Sequence, residues 1–200
     1  MKEKGLVVVI SAPSGAGKTT ICRLLAKRMA GLRYSISCTT RPKREGEKNG
    51  YDYYFLSESE FKHTIKNKGF AEWALVHGYY YGTPKKAMDR LLERGYDVIM
   101  DIDVQGGLQL KKAYPGAVLV FVMAPSFKVL EKRLRLRKKD SDDIIARRLR
   151  NARQELRSLP RYEYLVVNKT LAKAVDEIET IINSEHRRTA RIKIPKFDHQ

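Results

Sequence analysis

The stretch SAPSGAGKTT, Ser11 to Thr20, directly follows LVVVI, Leu6 to Ile10, so a run with almost nothing bulky comes after an apolar strand. Residues that cannot pack suit a place where a large anion must approach the backbone. The pattern G-x-x-x-x-G-K-[ST] describes such a loop: its N–H groups cradle phosphates, its lysine reaches the terminal phosphates, and its hydroxyl faces Mg²⁺. Ala12 takes the first position, and Gly17, Lys18 and Thr19 fill the others. Gly15 and Gly17 stand where the chain must turn tightly. Beyond the loop, Ile21, Leu24, Leu25 and Met29 recur at helical spacing. A strand, this loop and a helix N-terminus together make an anion site, because orphan N–H groups and the helix dipole both favour phosphate.

Working outward, apolar strands alternate with amphipathic helices. Tyr34–Cys38 (YSISC), Tyr96–Asp103 (YDVIMDID), Ala117–Met123 and Tyr162–Asn168 read as strands, and helices are expected from Val104 to about Tyr114 and from Leu171 to about Arg188. This alternation predicts an α/β fold whose parallel sheet is covered by helices on both faces. Two segments break the rhythm. The first holds a polar loop (TTRPKREGEKNG), an aromatic run (YDYYF), a capping box at Ser57 to Glu60 and a β-like stretch, FAEWALVHGYYYG, with Thr83 as N-cap of the next helix. The second, basic segment predicts two helices with a break around Lys138 to Asp143. The expected division is a core of residues 1–35, 87–126 and 159–200, a small insertion at 36–86 and a helical lid at 127–158. Two arms around a phosphate-binding core suit a kinase that closes over two substrates and excludes water.

The chain of 200 residues carries 40 Lys and Arg against 23 Asp and Glu, a formal charge of +17 that calls for an anionic partner. Small polyphosphates are preferred over nucleic acid, since no RNA-binding signature or helix-turn-helix pattern accompanies the charge. No run is long enough to span a membrane, and the apolar run at the N-terminus is too short for a signal peptide, so a cytoplasmic protein is expected. Cys22 and Cys38 lack C-x-x-C spacing, and His63, His77, His186 and His199 are scattered, which indicates neither a disulfide framework nor a zinc site.

Several side chains could carry chemistry. Arg41 and Arg44 flank Pro42-Lys43 and precede Tyr53, and guanidinium groups bind phosphate in bidentate fashion. Glu72 lies in an apolar stretch, where a carboxylate needs a donor partner; guanine offers N1–H and N2–H₂ on one edge, and adenine has no equivalent pair. Asp101 and Asp103, two residues apart, are expected on the same side of a strand end, one of them on the metal side and the other a substrate contact or a helix cap. Arg133 and Arg137 share a helix face, and Arg148 lies on the next helical segment.

In order and spacing, SAPSGAGKTT, SISCTTRPKREGEKNGYDYYF, FAEWALVHGYYYGT, DIDVQG, IARRL and VVN resemble the guanylate kinase family, ATP:GMP phosphotransferases, over essentially the whole chain. The resemblance implies a P-loop NTPase fold with a GMP-binding insertion and a lid. It implies ATP bound by Ala12, Pro13, Ser14, Gly15, Ala16, Gly17, Lys18, Thr19 and Thr20, with Asn168 near the base. GMP phosphate contacts would fall on Arg41, Arg44, Tyr53 and Tyr81, and guanine contacts on Ser37, Glu72, Thr83 and Asp103. Lys18, Arg133, Arg137 and Arg148 would be catalytic, and Mg²⁺ would sit at Thr19 and, through water, at Asp101. Leu136, Lys138 and Lys139 depart from the small or hydroxylated residues of many relatives, and Lys169-Thr170 stand where acidic residues are frequent. A catalytically silent binding module is the alternative, but such modules have lost the phosphate loop, and Gly17, Lys18 and Thr19 are intact here. Homo-oligomerisation is left open.

Overall fold

A computed structural model of the chain describes residues 5–76, 78–136 and 141–191. In chain order the first half comprises β1 (Val7–Ser11), α1 (Lys18–Arg28), β2 (Leu32–Tyr34), β3 (Cys38–Thr39), β4 (Tyr54–Phe55), α2 (Glu58–Lys66), β5 (Phe70–Val76) and β6 (Tyr79–Pro84). The second half adds α3 (Lys85–Glu93), β7 (Asp97–Asp101), α4 (Val104–Ala113), β8 (Val118–Met123), α5 (Phe127–Arg135), α6 (Asp142–Leu156), β9 (Tyr164–Val167) and α7 (Leu171–Glu185).

Five strands form a parallel sheet in the order β2-β7-β1-β8-β9. All five residues of β1 are buried, and their alternation explains why both sheet faces are covered. Val8 and Ile10 pack with Ile21 and Leu25 of α1 and Val175 and Ile178 of α7. Val7 and Val9 face the other way, toward Met88 and Leu92 of α3 and Leu110 of α4. Each such side chain contributes about 1.5–3 kcal/mol by leaving water. Leu24 does not share this role: it is 38% exposed. Among the described residues no helix is long and apolar enough to cross a membrane.

A second sheet, β4-β3-β6-β5, lies in the segment that breaks the βα rhythm. Its hairpin β5–β6 packs on α2, where Phe61 stacks on Phe70 (4.4 Å) and Tyr80 (5.3 Å). Gly82 makes this contact possible, since a Cβ there would lie 3.0 Å from both Phe61 and Phe70. The expected capping box is present: the Ser57 hydroxyl accepts from the Glu60 amide, and the Glu60 carboxylate accepts from the Ser57 amide.

Four expectations need correction. YSISC is not one strand, because Tyr34 ends β2 in the large sheet and Cys38 begins β3 in the small one. Thr83 does not cap the following helix; it belongs to β6, and Pro84 stands at the cap. Nor do Asp101 and Asp103 share a strand face, because β7 stops at Asp101 and Asp103 caps α4, its Oδ1 accepting from the Gly106 amide at 2.7 Å. The basic segment holds the two expected helices, α5 and α6, which bury Leu130, Leu134, Ile145 and Ala152 together, but α6 starts at Asp142, so Asp142 and Asp143 belong to the helix and not to the expected break. Arg137, Lys138 and Lys139 lie outside the described residues.

Candidate active site

Because the large sheet is parallel, the C-terminal ends of β1, β2 and β7 open on one edge, where ligands of such sheets bind. Ser11 leads from β1 into the Ala12–Gly17 loop, and Gly17 is the N-cap of α1 with φ 100°. Gly15 also has positive φ, 91°, so both glycines occupy backbone that a side chain would strain. No side chain caps α1 and its first turn carries no acid, which leaves its N-terminal amides to an anion. The Lys18 ammonium donates to the Ala12 carbonyl across the loop mouth.

The far strand holds the loop in shape. Asn168, directly after β9, is buried, donates its backbone amide to the Met123 carbonyl, and donates Nδ2 to the Ala16 carbonyl at 2.8 Å. A Cβ on Gly17 would come within 2.9 Å of that Nδ2. Asn168 thus acts as a clamp on the phosphate loop, a role that its place at the end of VVN did not announce. Arg133 from α5 donates to the Asn168 carbonyl at 2.9 Å, and Arg148 from α6 approaches the Ser14 hydroxyl at 3.5 Å. Arg148 thus reaches the loop itself and Arg133 the residue that clamps it, from separate helices. The departure at Lys169-Thr170 also has a local reason, since the Thr170 hydroxyl caps α7.

On the other side of the loop, the Thr19 hydroxyl donates to Asp101 Oδ2, and the Tyr34 phenol donates to Oδ1. Burial and the Asp101 charge push the Tyr34 phenol far above its ordinary pKa, so it remains a donor.

The cleft continues toward the small sheet as a cavity of about 410 Å³ lined by Lys18, Thr19, Ser37, Arg41, Arg44, Tyr53, Glu72, Tyr81, Asp101 and Asp103, among others. Arg41 is 8% exposed despite its charge, and Glu47 explains how: its Oε1 pairs with the Arg41 guanidinium at 2.7 Å while its Oε2 accepts from the Arg44 amide at 2.8 Å. Burial raises the Glu47 pKa, but the bonds from Arg41 and the Arg44 amide outweigh it and hold the carboxyl below its ordinary value. Tyr53 and Tyr81 meet edge to face at 5.9 Å.

Glu72 projects from β5, is 5% exposed, and accepts from the Thr83 hydroxyl on the paired strand β6 at 2.7 Å. Burial pushes its carboxyl up to about 7; the Thr83 bond opposes this shift and the nearby Asp103 charge adds to it. Only glycine fits beneath it, for a Cβ on Gly106 would lie 2.4 Å from Glu72 Oε2. Gly106→Ala is therefore expected to displace Glu72 and weaken about tenfold or more the binding of a ligand seated against it, while binding at the Ala12–Gly17 loop stays within twofold, as calorimetry with each ligand would reveal.

Sequence reasoning missed four groups. Glu47 could not be told from Glu45 in the charged run around Arg44. Tyr34 was hidden in a misread strand. Arg23 of α1 ties the helix after the loop to the stretch before β4 by pairing with Asp52 at 2.7 Å. Glu155 of α6 faces the cleft with Oε2 buried and unpartnered, and burial, opposed by Lys18, raises its pKa.

With this geometry in place, comparison with known proteins is informative. A family model described as guanylate kinase matches residues 4–185. The chain is 48% identical over 193 residues to a guanylate kinase of Syntrophotalea carbinolica, covering 96% of this chain and 92% of that one. It is 47% identical over 189 residues to that of Carboxydothermus hydrogenoformans, covering 94% and 93%. Among solved structures, guanylate kinase from Anaplasma phagocytophilum superposes with a TM-score of 0.80 at 30% identity, covering 95% of this chain and 90% of that chain.

Proposed function

The chain belongs to the guanylate kinase family, and from that membership we propose how its residues carry out the transfer of a phosphoryl group from ATP to GMP, giving ADP and GDP. Residues Ala12 to Thr20 bind the ATP phosphates, with Lys18 on the terminal ones and the N-terminal amides of α1 behind them. Arg41 and Arg44 bind the GMP phosphate, with Tyr53 and Tyr81 adding uncharged donors. Ser37, Glu72, Thr83 and Asp103 read the guanine. Thr83 does so through Glu72, whose Oε1 it engages, leaving Oε2 for the base.

The reaction needs positioning and charge neutralisation more than covalent chemistry from the protein. Arg148, held at Ser14 of the loop, and Arg133, held at Asn168 beside it, neutralise charge on the transferring group, and Arg137 joins them in this proposal. Movement of the two arms toward each other would exclude water and deny it the phosphoryl group. Thr19 and Asp101 fit Mg²⁺: they form an oxygen-only pair, and a small hard cation shared with phosphates needs few protein ligands. Mg²⁺ bound there supplies charge neutralisation on the ATP phosphates. Thr19 donates its proton to Asp101, which turns its lone pair outward.

The observation that carries this reading is the convergence on one cleft of the phosphate loop, the Arg41–Glu47 unit and the buried Glu72. A silent binding module would have no use for the first of these. Buried, free Cys22 and Cys38 are in keeping with a cytoplasmic enzyme. In a coupled assay, Arg44→Ala is expected to raise the KM for GMP about tenfold or more, the loss of one charged hydrogen bond, and to leave the KM for ATP within twofold. Equal increases in both constants would remove Arg44 from the acceptor side.

A further inference from the structure

Asp101 ends β7 with its two oxygens committed to different partners. Oδ2 accepts from the Thr19 hydroxyl at 2.5 Å, and Oδ1 accepts from the Tyr34 phenol. Tyr34 can reach it because β2 lies beside β7 with Tyr34 paired to Ile99, two residues before Asp101. The ring is held from behind: it packs against the core cluster of Leu32 and Ile99, and the Arg23 guanidinium lies 5.8 Å from its centroid. Arg23 is itself tied to Asp52. The phenol is thus a neutral donor on a rigid mount, restraining the carboxylate without cancelling its charge.

We propose that Tyr34 is a positioning residue which, by reserving Asp101 Oδ1, makes the metal side of the site selective for Mg²⁺ over larger divalent cations. The proposal rests on the Mg²⁺ reading of Thr19 and Asp101 given above. Mg²⁺ keeps several waters in a strict octahedron and asks a carboxylate for one oxygen or for a hydrogen bond to a bound water. Ca²⁺ gathers six to eight oxygens and commonly takes both from one carboxylate. Because Tyr34 takes one lone pair of Oδ1 and fixes the plane of the carboxylate, turning both Asp101 oxygens onto one ion weakens or breaks the phenol bond. Asp52, on the insertion side of the same cleft, is engaged by Arg23 and the Lys48 amide, and among the described residues no group of three His, Cys, Asp or Glu is placed to hold a metal.

Tyr34→Phe removes the hydroxyl and keeps the ring that packs on the core. ADP binding would be measured by calorimetry with EDTA, with Mg²⁺ and with Ca²⁺. The variant is expected to bind ADP in EDTA within about twofold of the parent, while the ratio of its affinities in Mg²⁺ and in Ca²⁺ falls about tenfold. In an Asp101→Asn background the same substitution should leave that ratio within about twofold of its value in Asp101→Asn alone, because Tyr34 acts through the carboxylate. A ratio unchanged by Tyr34→Phe, an equal loss in all three conditions, or full additivity with Asp101→Asn would overturn the proposal. The underlying metal reading fails separately: there, Mg²⁺ would give the parent protein no tighter ADP binding than EDTA, and both ideas would fall together.

Discussion

Replacing Lys18 by alanine is expected to lower kcat about 10²–10³-fold, the loss typical of removing one preorganised charge from a transferring group. The side chain sits at the cleft mouth and, among the described residues, bonds only to the Ala12 carbonyl, so nothing in the core is lost with it. Thermal melting should accordingly stay within a few degrees of the parent. The clamp from Asn168 to Ala16 and the positive φ of Gly17 would persist, since neither involves the lysine side chain. Steady-state kinetics with saturating ATP and GMP decide the matter. A kcat within about tenfold of the parent, which is only ~1.4 kcal/mol of barrier, would deny Lys18 the role assigned to it.

The second large effect concerns choice of base. In Glu72→Gln, Oε1 can still accept from Thr83, but the amide NH₂ then points its donors at guanine's N1–H and N2–H₂. The kcat/KM for GMP should fall about 10²-fold or more, and the margin over AMP, for which a site built on a buried acceptor can reach roughly 10⁴, should narrow in proportion. An unchanged ratio would move selection to Ser37 and Asp103.

The same carboxyl sets two pH dependences of opposite sense. Its pKa of about 7 in the free protein means that the ionised acceptor is lost as pH falls through 7. The kcat/KM for GMP should therefore drop about tenfold per unit below that point and level off above it, and Glu72→Gln should lack this limb. For stability the sign reverses. The folded pKa lies above the ordinary value of 4.5, so the stabilising contribution is complete below 4.5 and is lost as pH rises through about 7. At pH 8 the buried charge costs the fold about 3 kcal/mol, and Glu72→Gln should raise the melting temperature there while disabling GMP recognition. A variant that melts lower at pH 8 would show that Glu72 contributes to the fold through bonds other than the one from Thr83.

How much of this was legible follows from the range of each interaction. The β1–loop–α1 unit was readable because the buried strand, the positive-φ glycines and the helix start all lie between Val7 and Lys18, inside the window of roughly 11–18 residues in which local patterning is read. The Ser57–Glu60 capping box and the β character of FAEWALVHGYYYG were readable for the same reason, while its folding into the β5–β6 pair was not. YSISC was misread because a strand pattern carries no sign of where the chain leaves one sheet for another; Ser35 to Ser37 make that crossing with no change of composition. Thr83 was misread because a hydroxyl before a helix resembles a cap, and only the partner strand reveals Glu72 as its acceptor.

The amino-acid sequence by itself determined the phosphate loop, the alternation of buried strands with amphipathic helices, and the residue types available to hold two nucleotides, since each depends on neighbours along the chain. Only the tertiary structure decided which partners those residues take. Asn168 reaches Ala16 across 152 residues of chain, and Tyr34 reaches Asp101 across 67. Glu47 rather than Glu45 holds Arg41, and Gly106 leaves the space that Glu72 fills. Such contacts depend on how strands align in the sheet and how helices pack over it, and that information is spread over the whole core rather than written beside any of the residues that make them.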